Sequence, residues 1–249
     1  KLFKVGDRVS HASMPIGAYS EKHIMPENKL VPVPDGVSNE VASCITLKGI
    51  TAEYLLHRAY HLKNGDKVLY HAAAGALGQI LCQWANSIGA EIIGTVGSKE
   101  KEQIAKKNGC HHVINYTEKN FVEEVEKIVG KNGIDVVYDG VGLKTFEGSI
   151  EVLKIRGMMV AFGNASGYVD TIDVKKHINA KGLFFTRPSI AHYTIEREEL
   201  LESAKKVFNA VLSGKFKIEI SKKYSLDEVK QAHQDLEGRL LTGPAVIIP

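Results

Sequence analysis

The stretch Val68-Leu69-Tyr70-His71-Ala72-Ala73-Ala74-Gly75-Ala76-Leu77-Gly78 carries a short apolar run through small side chains into a helical pattern, with apolar residues at Leu77, Leu81, Trp84 and Ile88 that stop at Gly89. This reads as a strand, a tight turn and a helix. The chemistry open to such a turn is phosphate binding. Backbone N–H groups at the first turn of a helix, together with its dipole, attract negative charge when no side chain stands in the way. Gly75 permits that approach and Gly78 lets helix and strand pack closely. Ala73 occupies the place of the first glycine of a G-x-G-x-x-G pattern, and a small-residue turn can also serve packing alone.

A second group of residues bears on what the phosphate belongs to. In a dinucleotide-binding sheet, an acid at the tip of the second strand binds the adenosine ribose hydroxyls and repels a 2′-phosphate. The second strand here ends Val96-Gly97-Ser98-Lys99-Glu100-Lys101, with a hydroxyl and two lysines in place of that acid. The pattern favours NADPH over NADH, although Glu100 opposes the two lysines and lysines also simply solvate exposed helices. Cys44 is read as a small buried hydrophobe rather than a zinc ligand, since a catalytic zinc needs three protein ligands. His111 and His112 are adjacent, so on a strand their rings point to opposite faces and no metal site is expected.

The elements that must position these residues alternate. Strands are expected at Glu91 to Val96, His112 to Asn115, Ile134 to Tyr138, Met158 to Phe162 and Leu183 to Thr186. Helices are expected from Lys99 to Lys107, from a Thr117 cap through Phe121, Val125 and Ile128, and from Thr145 to Leu153. Such alternation predicts an α/β fold, a Rossmann doubly wound parallel sheet.

The flanking segments read differently. Lys4 to Val9 is a turn feeding a short strand, and Gly17 to Glu21 begins another. Ser38 caps a helix toward Leu47, which Gly49 separates from a second helical pattern. After Pro188 come a long helix from Arg197 to Leu212, a strand at Ile218 to Ile220, the capping box Ser225-x-x-Glu228 and a last strand at Ala245 to Ile248. Three segments result: 1–48 as part of a β-rich catalytic domain, 49–189 as the dinucleotide-binding insert, and 190–249 as the return of the first domain.

Composition sets bounds. The 249 residues are 44% hydrophobic and 24% charged, an ordinary globular balance, and the formal charge of +3 is dispersed, so no nucleic-acid partner is expected. No apolar run reaches membrane-span length, so no membrane partner is expected either. Three widely spaced cysteines suit a reducing compartment, and a cytoplasmic location is the expectation.

Read together, Ala72 to Gly78, Gly94 to Gly97, Val113 to Tyr116, Val137 to Gly142, Phe162 to Gly167, Thr186 to Ser189 and the closing Ile247-Ile248-Pro249 resemble the zinc-free, zeta-crystallin-like NADPH:quinone oxidoreductases of the medium-chain dehydrogenase/reductase superfamily. The resemblance runs the length of the chain. It implies a Rossmann sheet inserted in a GroES-like catalytic domain, here partial because the chain reads as N-terminally shortened. It implies NADPH as cofactor in a cleft between the two domains, a quinone as substrate, and a homodimer formed through the Gly182 to Thr186 edge. By the same resemblance Lys101, Tyr116 and Arg239 surround the 2′-phosphate and its ribose, with Gly97 and Ser98 assisting. Ala76 and Leu77, beside Gly75, offer amides to the pyrophosphate. Thr51 and Tyr54 approach the nicotinamide side, and Val141, Phe162, Gly163, Asn164, Arg187, Pro188 and Ser189 line the dinucleotide. Local packing and helix-capping roles remain open for Tyr116, Arg239, Phe162, Thr51 and Tyr54. No side chain is assigned as catalytic acid or base. Two alternatives stand beside quinone reduction: an NADPH-dependent enone or alkenal reductase, and a nucleotide-binding protein without turnover.

Overall fold

A computed structural model describes residues 1–12, 15–238 and 240–249. The chain opens with β1 (Val9–Ser10), β2 (Val31–Pro32) and α1 (Asn39–Tyr54). An alternating series follows: β3 (Lys67–His71), α2 (Ala76–Ile88), β4 (Glu91–Val96), α3 (Lys99–Lys107), β5 (His112–Asn115), α4 (Phe121–Val129), β6 (Ile134–Asp139), α5 (Phe146–Val152), β7 (Leu153–Ala161) and β8 (Phe184–Thr186). The last elements are α6 (Arg197–Leu212), β9 (Lys222–Ser225), α7 (Val229–Glu237) and β10 (Ala245–Ile248). Two compact units divide this series, one of Lys1–Glu53 with Ile190–Pro249 and one of Tyr54–Ser189.

In the Tyr54–Ser189 unit, six parallel strands form a sheet in the order β5-β4-β3-β6-β7-β8. The chain winds outward from β3 to one side and then returns to β6 on the other, so the sheet is doubly wound and its switch point lies between β3 and β6. Helices on both faces of a parallel sheet bury its strands from both sides, which explains why β6 is buried at every position and β4 at all but its first. Leu69, Ile93, Val137 and Met159 sit at the centre of the core, joined by Phe146 and Val152 of α5. Gly89 ends α2 in the left-handed conformation, φ +93°, and donates to the Ala85 and Asn86 carbonyls. Asn120, rather than Thr117, caps α4 by accepting from the Val122 amide. Thr117 instead donates through both its amide and its hydroxyl to Asn115 Oδ1, which closes a turn after β5.

In the other unit, β1 pairs antiparallel with β2 and β9 pairs parallel with β10. Two expectations are corrected there. Gly17 to Glu21 forms bends, not a strand: Gly17 has φ +144° and its carbonyl accepts from the Ser20 hydroxyl at 2.6 Å. Ile218 to Ile220 forms no strand: the ladder to β10 starts at Lys222 opposite Ala245. Ser38 accepts from the Val41 amide as expected of a cap, but Gly49 does not interrupt the helix. A Cβ on Gly49 would collide with Val207 of α6, so this glycine serves a close helix crossing. Beside it Glu53 is fully buried, where it accepts from the Ser203 hydroxyl and from Lys206 Nζ.

Asp235 on α7 fastens that helix to β9. Its carboxylate accepts from Lys222 Nζ at 2.7 Å, Tyr224 Oη at 2.5 Å and Gln231 Nε2 at 2.6 Å. Those bonds, Lys222 first, hold its pKa down at about 2. A carboxyl depressed in the folded state adds stability above its ordinary range and loses it as pH falls through the folded value. The stability lead of the wild type over Asp235→Asn, followed by urea midpoint, is therefore expected to be flat from about pH 8 to about pH 5, to shrink below about pH 4 and to vanish near pH 2. A lead that changes across neutral pH would assign the effect to another group.

Candidate dinucleotide site

The carboxyl ends of the sheet strands gather most of the residues singled out in the sequence. After β3, Ala72 takes φ +62°, a left-handed conformation uncommon for a residue with a side chain. Its carbonyl accepts from the Gly75 amide at 2.9 Å, while the Ala73 amide donates to Thr95 O at 3.0 Å and ties the turn to β4. Gly75 is exposed and is the N-cap of α2, with no side chain to satisfy the first-turn amides. Among the described residues no side chain caps the Ala76 and Leu77 amides. A Cβ on Gly78 would lie 2.5 Å from Ala73 O, which shows how closely helix and turn pack.

At the end of β4, Ser98 caps α3 by accepting from the Lys101 amide at 3.4 Å. Tyr116 follows β5, and its hydroxyl lies 2.6 Å from where a Cβ of Gly97 would stand. Gly97, Ser98, Lys101 and Tyr116 thus form one cluster, and among the described residues no carboxylate pairs with the Lys101 ammonium. Glu100 is fully exposed, its pKa lowered by its own amide and then by the Ser98 hydroxyl. Lys99 reaches toward Glu118 at 3.9 Å instead.

Across the switch point, the loops after β6 and β7 are zipped together. Phe162 N donates to Asp139 O at 2.9 Å and Ser166 N to Val141 O at 2.8 Å, while the backbones of Gly140 and Gly163 approach so closely that a Cβ on Gly163 would collide. Phe162 stacks on Tyr70 with ring centroids 6.2 Å apart. Arg187 Nη1 donates to Ala161 O at 2.9 Å, Pro188 is buried and Ser189 is exposed. Val141, Phe162, Gly163, Asn164 and Arg187 therefore share the rim of one sheet with the Gly75 turn. Tyr54 is 2% exposed. Thr51 lies in the other unit, where its hydroxyl donates to Leu47 O of its own helix. Arg239 lies outside the described residues.

The sequence reading missed a buried polar group beneath this rim. Asp139, fully buried at the end of β6, accepts from the Val141 and Gly142 amides at 2.7 and 2.9 Å, and from the Thr145 and Ser149 hydroxyls at 2.7 and 3.1 Å. Ser149 meets His71 Nε2 at 3.0 Å, and His71 Nδ1 meets Thr95 Oγ1 at 2.9 Å. The available signal was an Asp closing a buried strand before Gly-x-Gly, with hydroxyls four residues apart on the next helix.

Cys44, Cys82 and Cys110 are all buried free thiols, and burial pushes the Cys44 thiol up. His111 Nδ1 accepts from the Ile92 amide and His112 Nε2 faces Glu91, so the two rings serve different neighbours. Among the described residues no three His, Cys, Asp or Glu side chains cluster where a metal ion could be held.

Comparison with known proteins agrees with this architecture. Residues 76–235 match the family model described as zinc-binding dehydrogenase. The chain is 43% identical to a 2-haloacrylate reductase of Burkholderia sp, covering 99% of this chain and 75% of that protein. It is 43% identical to quinone oxidoreductase 1 of Escherichia coli, covering 100% of this chain and 77% of that one. The solved structure of Escherichia coli quinone oxidoreductase complexed with NADPH superposes with a TM-score of 0.95 at 43% identity, over 100% of this chain and 77% of that chain. The chain thus spans about three quarters of the length of these relatives. A doubly wound sheet with a glycine-containing turn at its switch point, carried on a sequence this close to several quinone oxidoreductases along its whole length, places the chain in the quinone oxidoreductase family of the medium-chain dehydrogenases/reductases.

Proposed function

We propose that the chain is an NADPH-dependent oxidoreductase that reduces quinones, with the dinucleotide laid along the rim of the six-stranded sheet. The observation that carries the reading is the cluster of Gly97, Ser98, Lys101 and Tyr116 beside the uncapped start of α2. When bound, NADPH supplies the reducing equivalents. The chain's own residues bind and orient: the Ala76 and Leu77 amides take the pyrophosphate, and the Lys101 ammonium with the Tyr116 and Ser98 hydroxyls takes the 2′-phosphate and ribose. Val141, Phe162, Gly163, Asn164 and the Arg187 to Ser189 turn flank the rest. The Asp139-Gly140-Val141-Gly142 loop, held from below by the Asp139 carboxylate, keeps its backbone in place as the cofactor binds.

The reading is zinc-free, as the resemblance of the surrounding sequence to the zeta-crystallin-like oxidoreductases implies. Three buried free cysteines fit a reducing compartment, and we read the chain as cytoplasmic. Among the described residues no helix is long and apolar enough to cross a membrane. The outer strand β8 leaves Phe184 58% exposed on an unpaired edge, which fits a homodimer joined edge to edge.

A second reading is reduction of an activated C=C bond, favoured by the likeness to a 2-haloacrylate reductase. One experiment separates the possibilities. NADPH and NADH are titrated by fluorescence against the 249-residue chain, light scattering on the same sample gives its mass, and turnover is followed with 1,4-benzoquinone and with an acrylate. Selective NADPH binding with quinone turnover is expected. Turnover of the acrylate alone favours the second reading, and a folded chain that binds neither nucleotide sinks both.

A further inference from the structure

We propose that Asp139 is a positioning residue of the dinucleotide site, the acceptor that orders a buried hydrogen-bond chain running Thr95 to His71 to Ser149 to Asp139 beneath three consecutive cofactor loops. The loops are those following β4, β3 and β6, and each begins within a few residues of one member of the chain. Thr95 precedes Val96 and Gly97, His71 precedes the Ala72 turn, and Asp139 precedes Val141 and Gly142. Thr95, His71, Ser149 and Asp139 are 1%, 1%, 0% and 0% exposed, so none of them meets the cofactor directly.

The direction of each bond follows from proton bookkeeping. A carboxylate only accepts, so the Ser149 hydroxyl donates to Asp139 Oδ2, as the Val141 and Gly142 amides do to Oδ1. Having given its one proton, Ser149 Oγ can only accept from His71, which places a proton on Nε2. Burial holds the His71 pKa below its ordinary value, with the Asp139 charge pulling the other way, so the imidazole is neutral at pH 7. Its Nδ1 then has no proton and accepts from the Thr95 hydroxyl. One carboxylate thereby fixes a histidine tautomer two bonds away and joins the ends of β6, β3 and β4 through a fully satisfied buried network.

Asp139→Asn tests this. The amide's Oδ1 can still accept from the Val141 and Gly142 amides, but its NH₂ now donates toward Ser149. Ser149 must reverse, donating to His71 Nε2, and the imidazole proton moves to Nδ1. Two-bond ¹H–¹⁵N correlation on histidine-labelled protein, with His71 identified by its loss in His71→Gln, reads the tautomer without any cofactor. The wild type is expected as the Nε2–H form and Asp139→Asn as the Nδ1–H form, with NADPH affinity about tenfold weaker. An Nδ1–H or doubly protonated His71 in the wild type overturns the ordering. A reversed tautomer with unchanged NADPH affinity overturns the positioning role. Should Asp139→Asn not fold, Ser149→Ala cuts the link to His71 while leaving both amides on Asp139. It is expected to lose the fixed tautomer and to weaken NADPH about threefold, and a retained Nε2–H tautomer with undiminished affinity rejects the proposal. The affinity arm rests on the dinucleotide reading: a wild type that binds no NADPH ends that reading and the positioning role with it, whereas the tautomer arm reports the ordering in either case.

Discussion

Replacing Gly78 by alanine is expected to destabilise the Tyr54–Ser189 unit by about 2 kcal/mol and to abolish nucleotide binding with it. The added Cβ would stand 2.5 Å from Ala73 O and 2.8 Å from Ala72 O and Ala73 C. All three are backbone atoms of the turn, so no side chain can rotate away. Overpacking of this kind costs roughly 1–3 kcal/mol, here at the upper end, and the better helix propensity of alanine returns about 1 kcal/mol of it. The relief available is to move α2 away from the sheet or to open the turn at Ala72, whose φ of +62° is already unfavourable. Either movement displaces the first-turn amides from where a pyrophosphate would sit. Gly75→Ala is the control, because the nearest atom to its Cβ would be Ala72 O at 3.2 Å and Gly75 faces solvent. That variant is expected to keep its urea midpoint and lose NADPH affinity, since the methyl stands on the approach to the amides. A Gly78→Ala protein as stable as the wild type would show that the turn yields without cost, and the close packing of helix on strand would then not be what shapes the site.

The residues that were legible in the sequence are those whose placement depends on near neighbours. α2, α3, β4, β5, α6 and β10 end at flanking glycines, caps or changes of period, and such signals sit within a few residues of the boundary. The Gly75 turn belongs to this class, so its place between β3 and α2 could be drawn from sequence. Gly49 was misread for the opposite reason. As a local signal it is a helix breaker, but Val207, far along the chain, occupies the space where its side chain would be. The Asp139 network was missed on similar grounds, because His71 and Ser149 are 78 positions apart and a buried strand gives no sign of where a polar side chain will find its partner. The approach of Tyr116 to Gly97 stands between these cases. It follows once β4 and β5 are paired in the register that sets Val96 opposite Asn115, and that register is a property of the sheet.

Lys101→Glu is expected to weaken NADPH about a hundredfold while leaving NADH within about threefold of its wild-type affinity. Lys101 is the third residue of α3, and the helix physics at that position favours an acid. A glutamate there would complete a capping box with Ser98, whose hydroxyl already accepts from the amide of residue 101. The wild-type chain thus keeps a cation, with no carboxylate paired to it among the described residues, where an anion would serve the helix better. Local stability therefore gives no reason for the lysine, and an anion arriving from outside does. Losing one charge-assisted hydrogen bond costs about 1.5–3 kcal/mol, and the new carboxylate, between Glu100 and Glu102, adds repulsion against the 2′-phosphate, which together reach the hundredfold range. NADH has no phosphate at that position and meets none of this. The two readouts must separate: urea stability unchanged or raised by a few tenths of a kcal/mol, and selectivity for NADPH lost. Equal weakening of both nucleotides, or a fall in stability matching the fall in affinity, would return Lys101 to the role of a solvated helix lysine and remove the argument that this cluster reads a phosphate.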